Sequence, residues 1–383
     1  MPATPLPPQR HRFDIPDDVA YLNAAYLGPL SLDAAEAGRT GLAAKLHPWS
    51  VGAGDFFEPV AELRAAVARL VGVDDDGIAF VPSVSYALAT AAANVHVGDG
   101  RRVVVLADQF PSNVYVWRVV AARTGGEVHA VPRPPDGDWT RGVLDAVDER
   151  TAVVAVPPCH WTDGTLVDLV AVGEAARAVG ATFVVDATQA LGAMPVDVAA
   201  VRPDWLACAF YKWLLGPYSL GFLYVAPEHR DGVPIEHSWI TRRGSEDFAG
   251  LVLYVDEFQP GARRYDVGEV SNFTLVPVAR AAVELVLEWG VEAVAATIAA
   301  LNERVVAGAE RLGLGVAPAA ARSPHLLGVR LGGATDPARL AERLAAERVH
   351  VSVRGDAVRV APHVYNTVED VDRLLAVLAA SLG

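Results

Sequence analysis

Cysteine is nearly absent from this chain: Cys159 and Cys208 are the only two among 383 residues. Two are too few for a disulfide scaffold, and they lack metal-ligand spacing, so no metal site is expected. Both read as small apolar residues packed in a reducing compartment. The alternative for Cys159, which stands beside His160, is a reactive thiol. Positive charge is also short, with 32 Lys and Arg against 46 Asp and Glu and a net charge of −14. That balance argues against a nucleic-acid partner held through its phosphate backbone. No uninterrupted apolar run reaches membrane-spanning length, and the first ten residues lack the apolar core of a signal peptide. The expectation is a soluble cytoplasmic protein with no membrane partner. No fixed-period repeat occurs, and low complexity is confined to the Pro-rich start.

Apolar residues make up 52% of the chain, ample for a packed core. The length allows two or three average domains, or one large α/β domain with a smaller companion. Residues 1–16 read as an arm lying over another surface. From about residue 60, short apolar runs alternate with helical periodicity. Strands are expected at 78–81, 102–107, 127–131, 151–156 and 181–185, with helices at 86–95, 114–124 and 166–179 between them. This alternation predicts an α/β fold with a mostly parallel sheet covered on both faces. Ligands of such sheets sit beyond the carboxyl ends of the strands. After about residue 275 the pattern changes to long helices at 276–289 and 291–312, then a strand at 325–331 and a helix at 337–347. Two short strands at 350–353 and 357–360 follow, then a last helix opened by Thr367-Val-Glu-Asp370, which has capping-box spacing. The expected division is a large domain at 17–274 and a smaller α+β domain at 275–383.

Two segments carry the chemistry. The apolar run Ala181 to Val185 ends in Asp186, within Asp186-Ala-Thr-Gln189. A second run, Trp205 to Phe210, leads into Tyr211 and Lys212. Opposite charges emerging from neighbouring buried strand ends suit a cofactor that needs an amine for a Schiff base and a carboxylate to keep a ring nitrogen protonated. Pyridoxal 5'-phosphate (PLP) is that cofactor. With these motifs the chain resembles the class V aminotransferase family of fold type I PLP enzymes, which includes kynureninases, isopenicillin N epimerases and cysteine desulfurases.

The resemblance extends along nearly the whole sequence and implies roles position by position. Lys212 is the Schiff-base lysine and main proton carrier, desolvated at a strand end. Asp186 holds the pyridine nitrogen protonated, and Gln189 bonds the phenolic oxygen. Val84 and Ser85, in Pro82-Ser-Val-Ser-Tyr-Ala87, supply donors to the phosphate at a helix N-terminus; simple capping by Ser83 or Ser85 is the bland alternative. Tyr211 adds a phosphate contact, as in kynureninases. Phe110, in Asp108-Gln-Phe-Pro-Ser-Asn113, stacks on the ring where desulfurases carry a proton-moving histidine. His160 or Trp161 is the ring-contacting residue of the loop Pro157 to Gly164. Arg359 grips the substrate α-carboxylate through its two-point fork, with Arg354 as the weaker candidate. Asn23 and Tyr26 stand at the substrate entrance.

Other features narrow the reaction. Gly-Asp-Ala-Val is all that separates Arg354 from Arg359, where desulfurases carry a persulfide-forming cysteine on a loop before the arginine. The tryptophan-rich substrate loop of kynureninases is represented at best by His237-Ser-Trp239. The loop Arg264 to Asn272 resembles the element that reaches across a homodimer interface to the neighbouring phosphate. Glu269 there would repel phosphate, passing the contact to Ser271 or Asn272. The resemblance implies an enzyme acting on an amino acid through a Schiff base passed from lysine to substrate, in transamination, lyase or epimerase chemistry. The alternative is a regulatory protein that binds PLP on the same fold without turnover.

Overall fold

The computed structural model describes residues 3–333 and 335–382. Its strands are β1 (Ala20–Tyr21), β2 (Ile78–Val81), β3 (Arg102–Leu106), β4 (Glu127–Val131), β5 (Thr151–Val156), β6 (Thr182–Asp186), β7 (Trp205–Ala209), β8 (Gly221–Val225), β9 (Leu327–Arg330), β10 (Val349–His350), β11 (Ser352–Arg354) and β12 (Ala357–Val360). The helices are α1 (Leu32–Ala44), α2 (Gly54–Val71), α3 (Val84–Ala93), α4 (Ser112–Thr124), α5 (Trp139–Ala146), α6 (Leu169–Ala178), α7 (Val198–Val201), α8 (Leu275–Trp289), α9 (Val291–Arg311), α10 (Pro337–Ala346) and α11 (Val368–Leu382).

Strands β2 to β8 form one seven-stranded sheet in the order β2-β8-β7-β6-β5-β3-β4. The pairs among β3 to β7 are parallel, whereas β8 runs antiparallel to both β7 and β2. Every residue of β5 and β7 is buried, which is why these strands read as continuous apolar runs. Alternate side chains serve opposite faces. Val104, Leu106, Val154 and Val185 pack with α2, α6 and α8, while Val103, Val105, Val153 and Val184 pack with α3 and Trp117 of α4.

The core clusters run across the expected boundaries at 16 and 274. β1 pairs in parallel with β10, so Ala20 and Leu22 join the core of the C-terminal unit with α9, α10 and α11. Arg10 reaches Asp370 at 3.0 Å and Phe13 packs edge-on to Tyr365 at 5.2 Å. Val276, Ala279 and Val283 of α8 belong instead to the core of the large sheet. A two-residue strand carries too little pattern to reveal its partner from sequence.

Local rules set the element ends. The helix expected from Leu166 starts at Leu169, because Asp168 accepts the Val170 and Ala171 N–H groups and Leu166 bridges to Cys159. The strand expected at 350–353 is split between two sheets, β10 pairing with β1 and β11 with β12. The last helix opens as its spacing predicts: Thr367 Oγ1 accepts from Asp370 N–H at 3.4 Å and Asp370 Oδ2 accepts from Thr367 N–H at 3.2 Å. Among the described residues no helix is long and apolar enough to cross a membrane.

Candidate active site

Asp186 ends β6, and Lys212 lies three residues past the end of β7. Because β6 and β7 are parallel neighbours, both groups arrive at one edge of the sheet. Gly28 holds the lysine turn in place. Its N–H donates to Tyr211 O at 2.8 Å, and a Cβ here would stand 2.1 Å from the Lys212 carbonyl.

A cavity of about 300 Å³ at this edge is lined by Ser83, Val84, Ser85, Phe110, Asp186, Gln189, Tyr211 and Lys212, as well as Cys159, Trp161 and Tyr218. A second, of about 440 Å³, shares Phe110, Trp161, Tyr211, Tyr218 and Lys212 and adds Tyr26, Arg354 and Arg359. The two spaces thus meet at the lysine.

Lys212 is buried, its Nζ 5.3 Å from the centre of the Phe110 ring and 5.5 Å from that of Tyr211. Desolvation pulls its pKa down to about 8, with Asp186 opposing and Arg359 assisting the shift. Burial raises the pKa of Asp186, while its bond from Thr188 N–H at 3.1 Å and the charge of Lys212 hold it down. Burial also pushes the Tyr211 phenol up to about 12, so it remains a hydrogen-bond donor. The Gln189 amide is fixed from both ends, Oε1 accepting from Trp213 Nε1 at 2.9 Å and Nε2 donating to Ala25 O at 3.2 Å.

Ser83 caps α3, accepting from Tyr86 N–H at 3.2 Å, and its hydroxyl lies 2.9 Å from that of Ser85. The first N–H groups of a helix have no intrahelical acceptor, so Val84 and Ser85, which both line the cavity, offer backbone donors there, with the Ser85 hydroxyl beside them. Phe110 meets Trp161 edge-on at 5.5 Å. Gln109, which no sequence signal singles out, pins this loop: it accepts from Leu106 N–H at 3.1 Å and donates to Asn113 O at 2.9 Å and Ala155 O at 3.1 Å.

Two expected site residues lie off the two cavities. His160 is turned away from the cavity that its neighbours Cys159 and Trp161 line. Its ring stacks on Trp139 at 5.1 Å, Nδ1 meets Thr162 Oγ1 at 2.7 Å and Nε2 meets Ala107 O at 3.0 Å. Burial, with the Arg133 charge, depresses its pKa to about 4, so it is a neutral packing residue. Asn23 lines neither of the two cavities; its Oδ1 accepts from Ser352 Oγ at 2.9 Å, and Ser352 in turn lies 3.5 Å from Arg359 Nη2. Tyr26 lines the second cavity and is 59% exposed.

Arg359 is fully buried, with Nη1 donating to Trp161 O at 2.9 Å and Nε unpartnered. Desolvation and the nearby Arg354 lower its pKa to about 10, still far above neutrality. Cys159 borders the cavity, but burial raises its thiol to about 12, which removes the thiolate a reactive cysteine needs. Cys208 is buried as well. The 264–272 loop is held by Asp266, which pairs with Arg64 at 2.7 Å and accepts from Phe80 N–H at 2.7 Å; Glu269 and Asn272 are exposed. Among the described residues no group of three or more His, Cys, Asp or Glu side chains is placed to hold a metal ion.

A mostly parallel sheet with lysine and aspartate at adjoining strand ends, and a helix N-terminus in the same cavity, defines a fold type I PLP enzyme. The pattern of the family described as Aminotransferase class-V matches residues 44–374, and the chain belongs to that family. It is similar to an uncharacterized aminotransferase, YcbU, of Bacillus subtilis, with 30% identity over 83% of this chain and 82% of the relative. Isopenicillin N epimerase of Streptomyces clavuligerus is 26% identical over 84% of each chain. A solved structure of a C-DES mutant with glycine covalently linked to the PLP cofactor superposes with a TM-score of 0.86 at 20% identity, over 97% of this chain and 99% of that one.

PLP is accordingly the cofactor, and the residues present fit it. Asp186 is a buried carboxylate facing the cavity, with a backbone N–H partner and a need for positive charge that a protonated ring nitrogen meets. The α3 N-terminus offers the donors a phosphate requires, and Lys212 offers an amine that desolvation makes easy to deprotonate. Lys212 is also one of only two lysines in the sequence, the other being Lys45.

Proposed function

We propose that this enzyme acts on an α-amino acid by moving a proton at the substrate α-carbon with Lys212 as its single base, in transamination or β-elimination rather than epimerisation. When bound, PLP supplies an electron-withdrawing ring that takes up the electron pair of the bond broken at that carbon. Asp186 keeps the ring nitrogen protonated. Val84, Ser85 and Tyr211 hold the phosphate, Gln189 orients the phenolic oxygen and Phe110 covers one ring face. Arg359 binds the substrate carboxylate, and Tyr26 borders the entrance.

The observation that carries this reading is the pKa of Lys212, lowered to about 8. General bases work best when their pKa lies near the operating pH, and Lys212 is the only amine in the cavity. Epimerisation by two bases needs a second proton carrier, but of the rings beside Lys212 Phe110 cannot titrate and Tyr211, its phenol raised to about 12, is assigned to the phosphate, while His160 lines neither cavity. Desulfuration through a loop persulfide finds no cysteine, since both are buried.

Incubating the holoenzyme with L-amino acids in D2O tests this directly. The α-proton of a substrate should exchange with retained L configuration, with keto acid or ammonia forming. Lys212→Ala should slow exchange by about 10²–10⁴-fold, the usual contribution of a positioned acid–base group. Borohydride should fix the pyridoxyl group on the Lys212 peptide. Recovery of racemised amino acid, or of the label on Lys45, would reject the assignment.

The same reading makes the enzyme a homodimer, with the 264–272 loop as a cross-subunit element. The consecutive exposure of Val252 (79%), Leu253 (73%) and Tyr254 (98%) supports it, because large exposed apolar side chains mark interaction surfaces when they cluster. Light scattering should give twice the chain mass, and a fully active monomer would refute it.

A further inference from the structure

β11 and β12 form a hairpin in which Ser352 lies opposite Arg359 and Arg354 opposite Ala357. Side chains two residues apart, and those directly opposite across a pair, share a face. Arg354 and Arg359 therefore stand on one face of the hairpin. Both are directed at the same indole, with guanidinium carbons 5.5 Å and 6.0 Å from the Trp161 ring centre. Both line the space that meets Lys212. That space contains three cationic side chains and no carboxylate.

Asp108, Asp163 and Asp356 border a neighbouring cavity with Arg354, but none lies within ion-pair distance of it, and the last two are engaged elsewhere. Asp163 pairs with Arg133 at 2.6 Å and Arg330 at 3.6 Å, and Asp356 is 4.0 Å from Arg330. Among the described residues neither Arg354 nor Arg359 makes an ion pair, and the Nε of each is buried without a partner. Arg354 uses one Nη to donate to Val353 O at 2.8 Å, which leaves most of its fork unspent. Like charges held this close in a partly desolvated space repel, and buried guanidinium groups are normally paired. The α-carboxylate of a substrate answers one guanidinium only.

We propose that Arg354 binds a second anionic group, so that the preferred substrate is an α-amino acid whose side chain carries a carboxylate, a sulfinate or a similarly shaped oxyanion. This rests on Arg359 binding the α-carboxylate. A flat oxyanion suits the planar fork of arginine at two points. Side chains of this class would answer both positive charges at once, whereas neutral amino acids would leave one without a counter-charge.

The test compares L-aspartate, L-glutamate and L-cysteine sulfinate with L-asparagine, L-glutamine and L-alanine as substrates of the holoenzyme. The wild type should favour the acidic group by at least tenfold in kcat/KM, and the carboxylate and sulfinate arms tell the two anions apart. Arg354→Gln should lower kcat/KM for acidic substrates about ten- to hundredfold, the range for a lost charge-assisted bond, and collapse the acidic-to-neutral ratio towards one. Arg359→Lys should lower both classes together and leave the ratio in place. Thermal shift with α-methyl-aspartate against α-aminoisobutyrate, which have no α-proton to lose, reads the same preference as binding. This separates its failure from failure of the proton-transfer reading, and it needs only the wild type should Arg354→Gln not fold. A wild type that binds the two probes equally, or an Arg354→Gln enzyme impaired equally on acidic and neutral substrates, would overturn the proposal.

Discussion

The active cavity has two unlike walls. One is made by the carboxyl ends of β6 and β7 and the start of α3, where strands buried on both faces fix Asp186, Lys212 and Ser85 through the register of a continuous sheet. The other is the β11–β12 hairpin, closed by a two-residue loop with Gly355 at φ +59°. A glycine at positive φ suits such tight turns. The first wall gathers every group that PLP chemistry requires. The second holds the two arginines and is tied to the first through Trp161, whose carbonyl receives Arg359 and whose indole N–H donates to Asp108 O at 2.7 Å. Changes in the first wall should therefore abolish turnover on any substrate. In the second, a change at Arg354 should redistribute turnover among substrates, whereas a change at Arg359 should lower it for all of them alike.

The sharpest way to break that contrast is Asp186→Asn. Asparagine keeps the size and can still accept from Thr188 N–H, but removes the charge that holds the ring nitrogen protonated. Loss of one preorganised electrostatic group typically costs about 10²–10³-fold in rate. The loss should be the same for acidic and neutral substrates and should accompany weaker PLP retention, followed by absorbance during dialysis. A loss under tenfold, or one that depends on the substrate side chain, would place Asp186 outside the role given to the first wall.

The first wall was legible because its residues interrupt apolar runs. An aspartate directly after Phe183-Val-Val and a lysine among Phe210, Tyr211, Trp213 and Leu214 contradict their surroundings, and strand-end logic gives the contradiction a location. Capping signals were readable for the same reason, as the reciprocal bonds of Thr367 and Asp370 attest. The second wall was harder. Alternation places Ser352 and Arg354 on one face, but only the register shows that Arg359 joins them, and registers come from pairings distant in sequence. The pairing of β1 with β10 was hidden because two residues have no periodicity. His160 misled because a histidine beside cavity residues looks like an active-site group. Its orientation is set by Trp139, Thr162 and the Ala107 carbonyl, and only the folded chain brings these to it.

A pair of buried histidines outside the hairpin adds a second link between the C-terminal unit and the loops of the large sheet, and acid should weaken it. His325 donates through Nε2 to the Gln189 carbonyl, and His363 meets Trp213 O at 3.2 Å while its Nδ1 accepts from Val364 N–H at 2.9 Å. Both come from the C-terminal unit, and both acceptors lie in the loops that carry Asp186 and Lys212. Each is fully buried, and desolvation lowers each pKa from 6.5 to about 4. In that window the unfolded chain binds more protons than the folded one, so stability rises with pH between about 4 and 6.5. The contribution is complete above 6.5 and lost as pH falls through 4. At ~1.4 kcal/mol per pH unit and proton, the pair accounts for a loss on the order of a few kcal/mol. Urea midpoints measured across this range should fall with acid, and His325→Gln with His363→Gln should flatten the slope by up to two protons. His160, depressed to about 4 in the same way, and the carboxylates account for the slope that remains. An unchanged slope in the double variant would mean that these imidazoles are not held neutral in the folded protein.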